Sequence, residues 1–577
     1  MAVTVEISEI TDAERIVLEK AALGEEVDLS GGEAAIDASR GGQWGEGREI
    51  RTSFLHALCT GRNRGFLPQH DGEALDRAWT VHTRGIQVRG AKITGCLDLS
   101  FAEFAHPLIL RSCFFDGDDP LNFEQSRLPA LALSGSHVPG IFADGLQTRG
   151  DVRLDDGFTA QRGVRLINAE IGGDLRCSSG TFVNVGGIAL SAEGMEVAGI
   201  ACLNGGFKAD GEVRLLDARL GGLDCTGGTF INVGGIALKA NRIKVAGFVF
   251  LNGGFKADGE VRLVDARLGG LACGGGTFVN PEGIALSAER AVIAGSVRLN
   301  ERFKGEGAVC LRGAEIGSSL RCSDGTFGGQ DDAFDGERLR VAGAFVWKPS
   351  TRPIGRVNLA DARVGELRDG APSWPQAETA AVLDGFIYDS FEEAGTAKYR
   401  LGWVRRYYSG DLYVPQPYEQ LAAYFRRAGR DADARTVAIG KEHARRASLS
   451  WWRRPCHWLF GLAVGYGYRL WRALIPLVLL VAVGTALFAR ASIDCLVKPA
   501  YHAETCALVP TTDARELPTF QPVVYALDTV LPIIDLRQQN FWTPEGAYQW
   551  WFWLSITGGW TLSTAVAAGL TRAISKG

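Results

Sequence analysis

A near-exact internal repeat constrains this chain more than any other feature. VRLLDARLGGLDCTGGTFINVGGIAL starts at Val213 and VRLVDARLGGLACGGGTFVNPEGIAL at Val261, 48 residues on. Diverged copies start at Val164 (VRLINAEIGGDLRC), Val309 (VCLRGAEIGSSLRC) and Val357 (VNLADARVGELRD). Self-similarity at such a period marks a solenoid, in which each unit buries its apolar face only against its neighbours. Phenylalanines halve the period: Phe158, Phe182, Phe207, Phe230, Phe255, Phe278, Phe303 and Phe327 recur every 23 to 25 residues. One coil is therefore about 24 residues. Within a coil the apolar residues fall five apart, as in Leu215, Leu220, Cys225 and Phe230, with Ala218 two residues before Leu220. Neither a helical period nor simple alternation gives that spacing.

The five-residue step, with a small residue two before a large one, resembles the pentapeptide-repeat family. The resemblance covers about 85 to 370 and implies a right-handed quadrilateral β-helix. It departs from the family in having coils some four residues longer and few Asp/Asn-Leu dipeptides. The expected fold is mainly β, a right-handed parallel solenoid over 85–371. At about 4.8 Å per layer it has about twelve coils and spans roughly 55 to 60 Å. Glycine supplies 74 of the 577 residues, about twice its usual share, and is expected at corners that need positive φ.

Cys177, Cys225, Cys273 and Cys322 hold matching places in alternate coils, and Leu154, Leu203, Leu251 and Leu299 fill the same column between them. Cysteine there reads as a small hydrophobe. Two layers, about 9.6 Å, is too far for a disulfide or a shared zinc ion. The chain has no CxxC, GxGxxG before a helix, GxxxxGK[ST], HExxH or GxSxG, and its eight histidines are scattered without ligand spacing. The residues therefore point to no catalytic group, cofactor or metal. With 61 basic and 66 acidic side chains the net charge is -5, and nothing global recruits nucleic acid.

The solenoid ends need covers. Residues 1–84 read as a helical cap, with Thr11 as an N-cap and Ile50, Phe54, Leu55 and Leu58 on one face of a helix. No secretory signal opens the chain, so this region is expected in the cytosol. Residues 372–454 read as a helical linker beginning with ETAAVLDGFIYDSFEEAG. Its last part resembles one tetratricopeptide-like hairpin, Leu421, Ala422, Phe425 and Ala428 facing Ala434 and Ala438. A cytosolic protein partner is expected on the solenoid or on these helices, where Trp403, Tyr407, Tyr408 and Tyr413 make an aromatic-rich surface.

Residues 455–577 read as a membrane module in contact with a lipid bilayer. Two uncharged runs, 473–489 and 548–571, mark spans at about 470–490 and 548–571, long enough to cross, with Trp550, Trp551 and Trp553 as an interfacial belt. Arg445, Arg446, Arg453, Arg454, Arg469 and Arg472 before the first, and Arg572 and Lys576 after the second, put both ends in the cytosol at a cytoplasmic (inner) membrane. The loop 491–545 is then outside, where Cys495 and Cys506 are a candidate disulfide.

Within that loop, 519–536 is apolar but interrupted by Pro522, Asp528, Pro532 and Asp535. It reads either as an interfacial segment or as a re-entrant one lining an oligomeric pore, with Asp528, Thr529, Pro532 and Asp535 as the pore candidates. The order span, dipping segment, span resembles two-span cation channels, though their Thr-Val-Gly-Tyr-Gly filter is absent. Gly559, Ser563 and Ala567 form a small-xxx-small stripe for helix packing or homo-oligomerisation.

Most of the chain, including GYGYR at 465–469 and YALDTVLPIIDL at 525–536, is similar to bacterial proteins labelled membrane-associated oxidoreductases, a label that implies redox activity. The residues themselves point to a non-enzymatic membrane-anchored scaffold or sensor, with a coupled pore as an extension.

Overall fold

The computed structural model describes residues 10–33, 35–61, 80–377, 380–393, 395–408, 412–450, 454, 474–493, 497–499, 519–531, 533–539, 541–544 and 546–574. They form two compact units, Met1–Ala394 and Gly395–Gly577.

The repeat folds into a parallel β-solenoid of about 13 turns, each of about 23 residues. Every turn contributes to two sheets. In one, Thr181–Ser191, Lys208–Arg214 and Thr229–Lys239 pair in parallel succession. In the other, Glu196–Cys202, Arg219–Asp224 and Lys244–Phe250 do the same. The phenylalanine column is the core of this stack: from Phe158 to Phe327 successive rings lie 5.1 to 5.7 Å apart. The Leu/Cys column is likewise buried throughout.

Corners take positive φ, but glycine shares them. Asn168, Gly194, Asp217, Arg242, Asp265, Arg290 and Gly313 occupy one corner in seven successive turns, with φ between 52° and 67°. Asn and Asp tolerate this region through local hydrogen bonding. Ion pairs staple consecutive turns there, Asp217 to Arg242 at 2.6 Å and Asp265 to Arg290 at 2.7 Å.

The ladder is longer than 85–371 at both ends. Val27–Asp28 pairs with Val88 and Arg89, and Glu49–Arg51 with Lys92–Thr94, so a first turn lies within the region read as a helical cap. Ile50 belongs to that strand, and Phe54, Leu55 and Leu58 are buried on helix α2, Thr52–Cys59. Helix α1, Asp12–Leu23, starts at Thr11 with a capping box to Glu14. Glu14 is buried and holds Arg51 at 2.6 Å. Burial raises its pKa, but hydrogen bonds from Arg51 and Thr11 outweigh this and hold it below the usual carboxylate value.

At the other end the structure corrects a helical expectation. Ala381–Val382 and Ile387–Phe391 are strands, paired with Val357–Asn358 and with residues from Arg363 to Leu367. The reason is burial: Leu383, Phe386, Tyr388 and Phe391 are all enclosed, and Gly385, φ 71°, turns the corner. Trp347, 5.1 Å from Phe327, and Trp374 close the aromatic column.

In the second unit, α3 is Ala397–Tyr407, α4 Gln416–Arg427 and α5 Asp431–Ser448. The α4–α5 hairpin buries Leu421, Ala422, Phe425, Ala434 and Ala438, and leaves Ala428 exposed. Trp403, Tyr407 and Tyr408 are buried as well, so these aromatics serve as packing and not as a free surface.

Helices α6, Leu474–Ile493, α7, Pro522–Val530, and α8, Ala547–Ile574, follow. Among the described residues no helix is long and apolar enough to cross a membrane. The two transmembrane helices expected at 470–490 and 548–571 are thus not found as described. The side chains described on α6 run only from 475 to 490, and the first half of α8 mixes Gln549, Ser555, Thr557 and Thr561 with its aromatics.

Candidate functional site

In the sheet containing Glu196–Cys202, the inward aliphatic residue of six successive turns, from Ile171 to Ile293, is followed by two residues with almost no side chain. They are Gly172–Gly173, Ala198–Gly199, Gly221–Gly222, Ala246–Gly247, Gly269–Gly270 and Ala294–Gly295. Strand register shifts there, between Val197 and Ile200, Leu220 and Leu223, and Val245 and Phe248, as at a bulge that bends a strand. Alternate turns need glycine because the chains approach closely. A Cβ on Gly221 would lie 2.5 Å from the Gly199 carbonyl oxygen, and one on Gly269 2.4 Å from that of Ala246.

A strip without side chains leaves a trough on the outer face. It forms a groove of about 1740 Å³ running from Glu103 to Ala294. Its rim is one residue per turn, Glu103, Arg127 and Gln147 first, then acidic Glu170 and Glu196, then basic Arg219, Lys244 and Arg267, then Val292. Each is in register with the next, at about 4.8 Å per rung. Glu196 holds Arg219 at 2.5 Å. Among the described residues Lys244 and Arg267 have no ion pair. Among the described residues no Cys, His or Ser lines the groove, whereas Thr148, Lys244 and the glutamates do.

Most of the described solenoid thiols are enclosed. Cys177, Cys225, Cys273 and Cys322 are buried, and burial raises each pKa far above the ordinary thiol value. Burial pushes Cys59, Cys113 and Cys310 up to about 12. A protonated thiol is a poor nucleophile and metal ligand. Among the described residues no three His, Cys, Asp or Glu side chains gather as a metal site.

The candidates between α6 and α8 have structural partners. Asp528 is buried, and its carboxylate accepts the backbone N–H groups of Leu536, Gln538 and Gln539 at 2.7, 2.8 and 2.8 Å. The Thr529 hydroxyl donates to the Tyr525 carbonyl at 2.7 Å, and exposed Asp535 accepts from the Arg537 N–H at 2.8 Å. Phe488, Tyr525, Ala526 and Trp542 form the local core. Gly559 packs against α7, where a Cβ would lie 2.0 Å from the Val530 carbonyl oxygen. Ser563 is half-buried and Ala567 exposed. Pro532, Cys495 and Cys506 lie outside the described residues.

Sequence reasoning missed the groove. Its signal was legible as a Gly-Gly or Ala-Gly pair recurring once per coil after Ile, Val or Leu, which the corner explanation of glycine absorbed. Compared with known proteins, the chain matches no family model, no curated protein and no solved structure.

Proposed function

We propose that this chain is a non-enzymatic scaffold or sensor, whose solenoid offers the outer groove to a protein partner while its C-terminal hairpin anchors it in the cytoplasmic membrane. The observation that carries the reading is the groove itself: a continuous trough with a charged rim. The oxidoreductase reading has less support, because the Cys177, Cys225, Cys273 and Cys322 thiols are buried and their pKa values are raised by that burial.

The anchor rests on exposed apolar surface. Ile475, Val478 and Leu479 on α6 are 60 to 64 % exposed, and Trp550, Leu554 and Trp560 on α8 are 51 to 72 % exposed. Contiguous apolar surface of this kind belongs against lipid or another chain. Both termini are cytosolic by their basic flanks. Asp528 then fastens the loop after α7, which favours an anchor over a pore. Self-association through the small-residue stripe rests on Ser563 and Ala567, since Val530 of the same chain covers Gly559.

Alkaline carbonate extraction of membranes carrying the full chain tests the anchor. Retention in the pellet is expected, and release into the supernatant would overturn it.

A further inference from the structure

We propose that the groove binds an amphipathic α-helix of a partner protein, carrying acidic residues on three successive turns against Arg219, Lys244 and Arg267. This rests on the scaffold reading and names the partner's chemistry.

The backbone of the floor argues first. Gly172 donates to Thr148, Gly199 to Gly173, Ala294 to Leu268 and Gly295 to Gly269, at 2.8 to 3.0 Å. These amides are spent on neighbouring turns, so an extended peptide cannot add itself as a strand and would leave its own backbone groups to water. A helix bonds its backbone internally and needs only a face to lay down. The floor, glycine and alanine in alternation, lets that face approach closely.

The spacing argues second. The three cations lie at successive rungs, about 4.8 and 9.6 Å from the first. Helix residues at i, i+3 and i+7 lie on one face and rise about 4.5 and 10.5 Å. Same-face residues of a strand come only every ~6.7 Å, which misses the second rung. Charge argues third: Lys244 and Arg267 have no ion pair among the described residues, and Arg219 shares its charge with Glu196 alone. Farther down the rim Glu170 asks for a basic residue on the same helix. From the Glu103 rung to the Val292 rung is about 38 Å, room for a helix of about 25 residues.

The test uses the full chain in detergent and a fluorescent alanine-rich helical peptide of about 25 residues, with Glu at i, i+3 and i+7. Anisotropy should report binding that weakens with added salt and falls about tenfold or more in the double variant Lys244→Glu, Arg267→Glu. Lys208→Glu, on the other sheet, should leave it unchanged. The proposal is overturned if the double variant binds equally well, if a peptide with the same glutamates spread round the helix binds equally well, or if polyglutamate or an anionic polysaccharide competes as effectively as the peptide. A photo-crosslinking residue at Ala246 in the membrane-embedded protein separates the two levels. Crosslinks to protein that persist in the double variant sink the acidic-helix proposal alone, and no crosslink to protein in any variant sinks the scaffold reading with it.

Discussion

Two columns run through the same turns of the solenoid and respond in opposite ways to size. The phenylalanine column is filled: rings such as Phe230 and Phe255, 5.2 Å apart, leave no solvent contact. The Gly/Ala column on the outer face is kept nearly empty, because in alternate turns a carbonyl oxygen of the preceding turn occupies the space a Cβ would need. One supplies cohesion by burial; the other gives up side-chain contacts and leaves a trough. The contrast teaches that one 48-residue repeat encodes both the core and an outer trough, so constancy of a position across turns does not say which it serves.

Substitutions can break that contrast. Phe230→Ala should have the largest effect, a loss of about 3–5 kcal/mol from the missing ring and the cavity it leaves, read as a lowered denaturation midpoint. A loss under about 1 kcal/mol would mean the column is not tightly packed. Gly269→Ala should cost about 1–3 kcal/mol by overpacking, whereas Ala246→Gly, one turn away on the same strip, should change stability by only about 0.5 kcal/mol. Equal effects would refute the alternation of close approach.

Thiol labelling sharpens the filled side. Under native conditions a maleimide should reach Cys96, which is exposed, and Cys202, which is half-buried, and both slowly because their thiol pKa values are raised, chiefly by burial. Cys177, Cys225, Cys273 and Cys322 should label only on unfolding, and mass spectrometry of digests distinguishes the two groups. Smallest of all, Lys244→Glu with Arg267→Glu should change stability by no more than about 0.5 kcal/mol, read from the same denaturation midpoint, so that the rim, unlike the column, adds little to folding.

Much of the solenoid was legible because periodicity is a property of sequence. The Phe spacing sets the coil length, and the Leu/Cys alternation emerges from aligning the copies. The final turn was not legible: AVLDGFIYDSF lacks the repeat signature and reads as helical until Phe386 and Tyr388 are seen stacked beneath the ladder, 5.6 Å apart. The same holds for Asp528. Its charge in an apolar segment left an interfacial and a pore-lining reading open, and the three backbone amides it accepts from belong to residues 536 to 539, a partnership no local pattern announces.

The sequence by itself determined the stacked β architecture, its coil length and the inward identity of Phe, Leu and Cys, because side-chain burial must repeat with the coil. Only the tertiary structure decided the rest. Whether a glycine turns a corner or forms a groove floor depends on the carbonyl of the neighbouring turn, about 23 residues away. Likewise, whether charges on separate turns form one rim depends on strand register, which exists only once the turns are stacked.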